Sequence, residues 1–516
     1  MICEPGETRA CYSGPASTEG VGVCIGGVET CNDDGLAWEA CLDEVVPSVE
    51  LCMAEGDEDC DGVSACETQW TFAVTGEDTF LQVRDVAVDG AGNTYALVGF
   101  NSGSVQIGGQ TFTQDGATRL TIVVKIDPDG AVLWVRSNTG GRAYGSSLAV
   151  DDAGNVVVVG TYTNTFAFAG AAPPLDQVGG QVADVFVLML DDSGDSVWSR
   201  HLSGRQSQLP LGIDPVGSKL VHDVSIDSAG NVYIAGELDG HWGGVCAPAC
   251  PTPSAGKAAF LQRLDAGGEL AWRRQMDGPD DQIAFAVAAV GASGVVVGGG
   301  FENQIEVGAS SFVANGFEDG WLASFDAAGA MSWVQSVAAA QNGVGAIDTL
   351  DATETTIYVG GLQAGSTPFG ARPSAAFGHY VAALDVAGVP LWVTPLAQET
   401  GRLWRARIRV AADGSIAVGG FLRGQLAIGG EILDSQTDPA DVASIPAFVR
   451  IDPDGALRYG RSFATVPAEQ NVVSSVATAP NGDVVLGGYH AESIDLGTGP
   501  LPHTAGQDGF VVRANP

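Results

Sequence analysis

Hydrophobic and polar positions alternate in short segments that recur along most of this chain. A β-branched run, a turn rich in Asp, Gly and Asn, and a second β-branched run occur together in seven copies, which are Val86–Tyr95, Leu148–Gly160, Val224–Gly236, Val287–Gly298, Thr349–Gly360, Ile408–Gly419 and Val476–Gly487. Turns such as Asp151–Asn155 contain residues that tolerate positive φ, which a tight hairpin between twisted strands requires. Each copy therefore predicts a β-hairpin.

A second repeat lies out of phase with the hairpins. Six times an Asp-centred turn is followed seven residues later by a bulky aromatic side chain, at Trp134, Trp198, Trp272, Trp333, Trp392 and Tyr459. An apolar run such as Val185–Leu190 precedes each of these turns and predicts a third strand. Each unit thus holds four predicted strands, which is typical of the blades of a β-propeller.

The two ends of the chain predict how the ring closes. The last unit stops at Phe510–Arg513 without its aromatic fourth strand, and Trp70–Val74 near the start has that character. We therefore expect the N-terminal strand to pair with the C-terminal unit, which gives an all-β, seven-bladed β-propeller over residues 70–516. Each outer strand carries one aromatic residue, and we expect these residues to cover the gaps between adjacent blades. They are Trp70, Trp134, Trp198, Trp272, Trp333, Trp392 and Tyr459.

The repeated units resemble the SBBP-type β-propeller repeats of bacterial extracytoplasmic proteins. The pattern of that family is roughly D-x-x-G-N-x-Y-V-x-G followed by D-x-F-V-x-K-x-D-x-x-G-x-x-x-W, and the segments Asp223–Gly236 and Ile122–Trp134 carry the resemblance most fully. The resemblance covers residues 70–516 and implies the fold. Because that family is defined by its architecture, it implies little about activity.

Residues 1–66 differ in composition from the rest and form a predicted small module, the head. Eight of the ten cysteines lie here, at Cys3, Cys11, Cys24, Cys31, Cys41, Cys52, Cys60 and Cys66, and the other two are Cys246 and Cys250. No paired C-x-x-C spacing is present, so we expect disulfide bonds formed in an oxidising compartment. Eight cysteines permit 105 pairings, among which the pattern does not choose. The head is similar to cysteine-rich N-terminal modules of myxobacterial surface proteins.

The end of the head resembles a metal-binding motif of bacterial surface proteins, E-x-C-N-x-x-D-x-D-C-D-G. The carboxylates concerned are Asp57, Asp59, Asp61 and Glu67. Alternate carboxylates can surround one hard cation, since Gly62 permits the sharp turn. An EF-hand loop would place its bidentate Glu where Thr68 stands. We predict a calcium site, and the alternative is a solvated acidic turn braced by a disulfide through Cys60.

The net charge of the chain disfavours nucleic acids and anionic membranes as partners. Sixty-two Asp and Glu residues against 23 Lys and Arg leave a net charge of −39, which repels phosphate backbones and anionic lipids. We therefore expect no nucleic-acid partner and no direct membrane insertion. The apolar stretch Ala284–Phe301 is interpreted as a strand pair, since Gly291–Gly294 interrupt it. Met1 runs into Ile2–Cys3 without a secretion signal, so we expect a mature or truncated form of an extracytoplasmic protein.

No catalytic motif is found in the sequence. H-E-x-x-H and G-x-S-x-G are absent, so no catalytic or cofactor-binding residue is assigned. The six histidines share no repeated phase, and a solvated surface position is their default interpretation. A convergence of His222, His241, His379 and His490 at the central channel stays open, because propeller ligands come from different blades. Short hairpins share one face of a propeller, so we expect the long loops of the other face to form the working surface.

These observations favour a secreted or cell-surface, non-catalytic binding or scaffold protein with a calcium-binding head and a protein or glycan partner. One alternative is an extracytoplasmic carbohydrate-active lyase or hydrolase with its site in the central funnel, because two catalytic carboxylates would leave no trace in the sequence. The second alternative is a purely structural surface-layer component.

Overall fold

The computed structural model describes most of the chain, and the description below is restricted to these residues. They are 2–47, 57, 60, 67–77, 79–177, 183–202, 221–239, 256–291, 294–339, 343–363, 369, 378–428, 431–438, 443–463, 471–504 and 506–515. Strands and turns make up this part of the chain, and it contains no α-helix. Accordingly, none of its elements is a helix that could span a membrane.

The head is cross-linked rather than packed around a large core. Its two short strands, β1 (Thr8–Cys11) and β2 (Gly27–Thr30), pair antiparallel. Three disulfide bonds join Cys3 to Cys31, Cys11 to Cys41 and Cys24 to Cys60. Such bonds stabilise modules too small to bury a sufficient core and are typical of extracytoplasmic proteins. The remaining predicted disulfide cysteines, Cys52, Cys66, Cys246 and Cys250, lie outside the described residues.

After the head come β3 (Thr68–Val74) and β4 (Gly76–Glu77), and then strands that form four-stranded antiparallel sheets. Sheet 1 contains β5 (Thr79–Val88), β6 (Thr94–Ile107), β7 (Gln110–Ile126) and β8 (Val132–Ser137). Sheet 2 contains β9 (Arg142–Val150) and β10 (Val156–Thr163) and, after a ribbon of β11 (Thr165–Phe166) and β12 (Leu175–Asp176), β13 (Asp184–Leu190) and β14 (Ser196–His201). Sheet 3 contains β15 (Val221–Ile226), β16 (Val232–Asp239), β17 (Lys257–Leu264) and β18 (Leu270–Met276).

The later sheets repeat this order. Sheet 4 contains β19 (Gln282–Val290) and β20 (Gly294–Phe301) and, after a ribbon of β21 (Gln304–Val307) and β22 (Ser310–Val313), β23 (Asp319–Asp326) and β24 (Met331–Val337). Sheet 5 contains β25 (Gly345–Ala352), β26 (Thr356–Gln363), β27 (Gly378–Asp385) and β28 (Pro390–Pro395). Sheet 6 begins with the short β29 (Ala397–Gln398) and contains β30 (Gly401–Val410), β31 (Ile416–Ile428), β32 (Glu431–Asp434), β33 (Ile445–Ile451) and β34 (Leu457–Ser462). Sheet 7 contains β35 (Val472–Thr478), β36 (Val484–His490) and β37 (Gly506–Ala514), and a short parallel pairing of β37 with β5 joins it to sheet 1.

The N-terminal strand β3 completes sheet 7. It pairs antiparallel with β37, so that Trp70 lies opposite Arg513 and Val74 lies opposite Gly509. Trp70 and Val74 are both buried, in a core cluster shared with sheet 1. The first and last parts of the chain are thus joined in one sheet, which is the pairing expected from the missing fourth strand of the last unit.

The sheets follow one another around a closed ring. The first strands β5, β9, β15, β19, β25, β30 and β35 contact one another in this order, and β35 contacts β5 again. Most buried apolar residues lie in clusters that neighbouring sheets share, as where β10 and β13 of sheet 2 pack against β15, β16 and β17 of sheet 3. The described chain therefore has an all-β, propeller-like architecture with the first strands innermost.

The outer aromatic residues link each sheet to the next. The indole N–H of each tryptophan donates a hydrogen bond of 2.8–3.0 Å to a turn carbonyl of the following sheet, with the pairs Trp70–Pro128, Trp134–Asp192, Trp198–Ala266, Trp272–Ala327, Trp333–Val386 and Trp392–Pro453. A glycine in the same turn lies against the indole ring, as Gly329 does against Trp272. Tyr459 is buried at the corresponding place and packs against Phe448.

Candidate functional site

A β-bulge interrupts the first strand of every described four-stranded sheet, always at the same level of the ring. At each bulge the first strand carries one residue more than its neighbour, and in sheet 6 the irregularity holds Arg405 together with Ala406. The bulged residues are Arg84, Ser146, His222, Phe285, Asp348, Arg405 and Ser474. Bulges re-aim side chains and are common next to functional sites.

All of these bulged residues line one cavity at the centre of the ring. Its volume is about 430 Å³, within the range of small-molecule sites, and Tyr144, His379, Arg407 and Tyr489 contribute to the same wall. The cavity lies where the first strands begin, which is also the end at which each sheet connects to the next. The candidate site is therefore this central cavity, on the face where the sequence predicts the long loops.

Side-chain chemistry varies at the bulges and is uniform just beyond them. Two positions beyond the bulge in the same strands, every residue is apolar, namely Val86, Leu148, Val224, Val287, Leu350, Ile408 and Val476. At the bulged position itself, Arg, Ser, His, Phe and Asp all occur. Equivalent backbone with divergent side chains is the pattern of a scaffold that carries a binding site.

Three arginines face the cavity in different environments. The guanidinium of Arg84 lies 3.8 Å over the ring of Tyr144 and donates a hydrogen bond to its hydroxyl. Burial, together with the charge of Arg119, lowers the pKa of Arg84 although Tyr144 acts in the opposite direction. Arg405 is exposed and Arg407 is partly buried, and neither side chain forms a hydrogen bond or ion pair with the residues that the structure describes.

Two histidines of the cavity contact carboxylates. His379 Nε2 lies 3.3 Å from Asp348 Oδ2, and His222 Nε2 lies 3.5 Å from Glu237 Oε2. Burial alone would raise the pKa of Glu237, but His222 and Lys257 outweigh it and lower that pKa. His222, His379 and Asp348 line the cavity, and an imidazole next to a carboxylate can orient a hydroxyl group or transfer a proton.

A neighbouring carboxyl group, Glu318, is held partly in its neutral form. Burial, followed by the charges of Asp348 and Glu302, raises the pKa of Glu318 to about 7. A carboxyl group with a pKa near neutrality can donate a proton or a hydrogen bond where an ordinary one cannot. Since Asp348 contacts His379, the three side chains form one electrostatically coupled group beside the cavity.

Near the bulges, carboxylates of three inner strands bind the inner strand of the following sheet. A carboxylate oxygen accepts a backbone N–H of the following sheet at 2.7–2.9 Å, in the pairs Asp85–Leu148, Asp223–Val287 and Asp351–Val410. Burial raises the pKa of Asp223 to about 6 and also raises that of Asp351. Burial would lower the pKa of Arg409, but these three carboxylates together raise it. Arg409 is thus neutralised within the protein, unlike Arg405 and Arg407.

Some of the histidines considered for the central channel are buried, although histidines are interpreted from the sequence as solvated surface residues by default. His379 is 4% exposed and His490 is fully buried, because both lie in strands. His222 and His379 do meet at the central cavity, whereas His490 packs against His503 away from it, and burial lowers the pKa of His490. His241 lies outside the described residues.

The predicted calcium loop is only partly described. Asp57 is buried, and its backbone carbonyl accepts a hydrogen bond from Val23 at 3.0 Å. Glu67 is exposed, and Asp59 and Asp61 lie outside the described residues. Among the residues that are described, no three His, Cys, Asp or Glu side chains are grouped so that they could hold a metal ion.

Glycines in the second strands are a sequence signal for the bulges, and catalytic motifs do not include it. The hairpin repeats end in Gly, and the glycines at this level lie opposite the bulges. A Cβ atom would come within 2.6 Å of a backbone carbonyl oxygen of the bulged strand at Gly160, Gly299, Gly361, Gly420 and Gly488. An isolated glycine in a strand marks a bulge or a close backbone approach. Counting back along the partner strand from each glycine would have led to the cavity residues.

Comparisons with known proteins identify no family. No protein-family model and no curated protein matches this sequence. Among solved structures, the chain is similar to a protein of unknown function from Dyadobacter fermentans, with 11% identity over 88% of this chain and 100% of that chain and a TM-score of 0.35. It is also similar to the WD40 β-propeller domain of Doa1, with 11% identity over 88% and 97% of the two chains and a TM-score of 0.30. A gluconolactonase from Xanthomonas campestris gives 12% identity, 90% and 97% coverage and a TM-score of 0.29. Likeness at this level says nothing of this chain's activity.

Proposed function

We propose that this protein is an extracytoplasmic, seven-bladed β-propeller that binds a glycan in its central cavity without transforming it. The observation that carries the proposal is the convergence of one bulged residue from every first strand on a single cavity. The closed ring of first-strand contacts and the pairing of β3 with β37 support seven blades. The disulfide bonds of the head support an extracytoplasmic location, either secreted or at the cell surface.

The walls of the cavity suit a hydroxyl-rich ligand. Ser146, Ser474 and Asp348 offer hydrogen-bond partners, and Phe285 and Tyr489 offer apolar ring faces. A few polar groups that fix orientation, together with aromatic surface, are the usual composition of a small-ligand site. A sugar unit presents both kinds of surface, which is why we propose a glycan rather than a protein as the partner.

Glycan-array binding by matched variants tests this proposal. Phe285→Ala removes an aromatic wall of the cavity and is expected to weaken binding about tenfold or more, because central aromatic residues dominate binding energy. Phe317→Ala is the control, since Phe317 is 68% exposed in the connection between the second and third strands of sheet 4. Loss of binding in Phe317→Ala with none in Phe285→Ala would place the site on the outer loops and contradict the proposal.

Calcium binding by the head is the second part of the proposal. Asp57, Asp59, Asp61 and Glu67 would supply the oxygen ligands, next to the disulfide between Cys24 and Cys60. Calorimetric titration of the full-length protein with calcium is expected to release heat and to raise the melting temperature, and Asp57→Asn is expected to abolish both effects. A titration without heat and without a gain in thermal stability would contradict a calcium site.

An extracytoplasmic lyase or hydrolase is the second candidate function. The observation that favours it is the pair of His379 and Asp348 at the cavity wall, with Glu318 beside them at a pKa of about 7. Such a group holds both an acid and a base at neutral pH, as glycoside cleavage requires. Release of products from a panel of polysaccharides, lost on His379→Ala, would favour this candidate over simple binding.

A further inference from the structure

The central cavity carries an excess of positive charge in a strongly acidic protein. Among the lining residues that the structure describes, Arg84, Arg405 and Arg407 are accompanied by one carboxylate, Asp348. The chain as a whole has 62 acidic residues for 23 Lys and Arg residues and a net charge of −39. Cations gathered on one wall of such a protein repel one another, and this repulsion is relieved when an anion binds between them.

The charges of two of these arginines are not used inside the protein. Arg405 and Arg407 contact no carboxylate among the described residues, whereas Arg409, two positions further along β30, is surrounded by Asp85, Asp223 and Asp351. The third arginine, Arg84, has a buried Nε atom without a hydrogen-bond partner in the part of the chain that the structure describes. Unsatisfied guanidinium donors around one cavity favour an acceptor with several oxygens.

The backbone of Arg405 supplies an independent observation. Its φ is +49°, in the left-handed region that non-glycine residues rarely adopt. Residues held in this conformation are concentrated at ligand-binding and active sites. The bulge of sheet 6 therefore holds this side chain at the cavity wall at a cost in backbone energy.

We infer that the cavity binds the carboxylate of an acidic sugar, such as a uronic acid unit, between Arg405 and Arg407. The inference rests on the proposed function and specifies its ligand. A carboxylate matches the planar donor fork of a guanidinium group. Asp348, Ser146 and Ser474 then remain for the sugar hydroxyls, and the negative Asp348 disfavours a phosphate dianion in the same place.

Calorimetric titrations with three probes test this inference on the full-length protein. The probes are a galacturonate trimer, the neutral galactose trimer of the same linkage, and inorganic phosphate. The acidic trimer is expected to bind about tenfold or more tightly than the neutral trimer and to lose most of this preference at high salt. Phosphate alone is expected to bind more weakly than the acidic trimer.

Two double variants locate the site. Arg405→Gln with Arg407→Gln is expected to weaken binding of the acidic trimer about tenfold to a hundredfold and to leave the neutral trimer unaffected. Arg200→Gln with Arg458→Gln removes the same charge from outer strands, where both residues have carboxylate partners, and is expected to keep wild-type binding. Neither side chain of the cavity pair has a hydrogen-bond or ion-pair partner among the described residues, so the first variant is expected to keep the wild-type melting temperature.

Each contrary outcome has a distinct meaning. Equal binding of acidic and neutral trimers, sensitive to Phe285→Ala but not to the arginine variant, would overturn the inference and leave the proposed function standing. Arginine-dependent binding of phosphate without binding of the acidic trimer would overturn both. Absence of binding by either trimer would overturn the inference, and the glycan array would then decide the proposed function separately.

Discussion

Arg405 adopts an unfavourable backbone conformation at the wall of the candidate site. A left-handed backbone conformation costs a non-glycine residue about 1 kcal/mol or more. The side chain of Arg405 recovers none of this through hydrogen bonds to described residues, since it is exposed at the cavity wall. Other parts of the fold therefore compensate for the strain. A substitution at Arg405 can raise the free energy of unfolding and at the same time weaken ligand binding.

The first prediction compares the same substitution at two positions of β30. Arg405→Gly relieves the backbone strain, because glycine adopts φ of +49° at little cost. Arg407→Gly lies in regular pairing with Gly419 and loses strand stability instead. Chemical denaturation is expected to find Arg405→Gly more stable than Arg407→Gly by about 1 kcal/mol or more. Equal stabilities would contradict a strained Arg405.

The second prediction concerns Glu318 and pH. Burial, with the charges of Asp348 and Glu302, raises the pKa of Glu318 from 4.5 to about 7. The folded protein therefore binds this proton more tightly than the unfolded chain does, and the free energy of unfolding decreases as pH rises from 4.5 to about 7. Glu318→Gln is expected to remove this part of the pH dependence and to be more stable than the wild type above that range.

Denaturation at a series of pH values measures the effect of Glu318. Glu306→Gln, on the exposed side of β21, provides a control with the same charge change. If Glu318→Gln shows the wild-type dependence on pH throughout this range, Glu318 does not hold its proton in the folded state.

At the level of elements, an indole ring and a glycine join one sheet to the next at six places around the ring, and sheet 6 carries Tyr459 instead of a tryptophan. In sheet 3 the indole of Trp272 donates to the carbonyl of Ala327, and Gly329 lies against its ring. A Cβ atom on Gly329 would come within 2.6 Å of that ring. The repeated aromatic residues thus form contacts between neighbouring sheets. Their spacing of seven residues from the Asp-centred turn follows from the geometry of the hairpin between the third and fourth strands of each sheet.

The third prediction isolates this contact. Gly329 and Gly109 have nearly the same φ, +78° and +77°, but a Cβ on Gly109 meets nothing within 4 Å. Alanine at either position suffers the same backbone strain, so the difference between Gly329→Ala and Gly109→Ala measures the displacement of the side chains against Gly329, which are the Trp272 indole and the end of Arg274. We expect Gly329→Ala to be less stable by about 1–3 kcal/mol in thermal or chemical denaturation. Equal losses would mean that the indole contact adds nothing.

The elements differ in how far the sequence could predict them. Hairpins such as Asp151–Asn155 depend on local turn chemistry, and the β3–β37 pairing depends on counting strands, so both could be predicted. The bulges depend on how a first strand lies against its partner and on the close approach at Gly361, which a search for catalytic motifs does not consider. Disulfide pairing in the head depends on tertiary distances and could not be chosen among 105 alternatives.

At the scale of the whole molecule, the ring depends on a strand from the N-terminal side. Trp70 and Val74 of β3 are buried in the core that sheets 1 and 7 share. Without β3 the edge of β37 would expose its backbone groups and adjacent apolar side chains, which favours aggregation.

The fourth prediction uses two truncations. Removal of residues 1–66 deletes the head and keeps β3, whereas removal of residues 1–75 deletes β3 as well. The longer truncation is expected to lose about 3–5 kcal/mol or more, comparable with truncating one large buried side chain, and to aggregate. The shorter truncation is expected to retain cooperative unfolding near the wild-type temperature. Similar melting of both proteins would contradict closure of the ring by β3.

The net charge of the whole molecule affects which acidic ligands can reach the cavity. The net negative charge of the protein repels polyanions at a distance, and ions in solution screen this field within about 10 Å. A single acidic sugar unit that enters the cavity meets Arg405 and Arg407 directly. We therefore expect the protein to select short acidic glycans, or the ends of chains, rather than long stretches of a polyanion.

A crystal structure of the protein with the galacturonate trimer tests the central claim most directly. We predict density for a sugar inside the ring, with its carboxylate against Arg405 and Arg407 and one bulged residue from each of seven sheets around it. Density on the outer loops, a ring with a different number of sheets, or bulged residues that point away from the cavity would contradict this account.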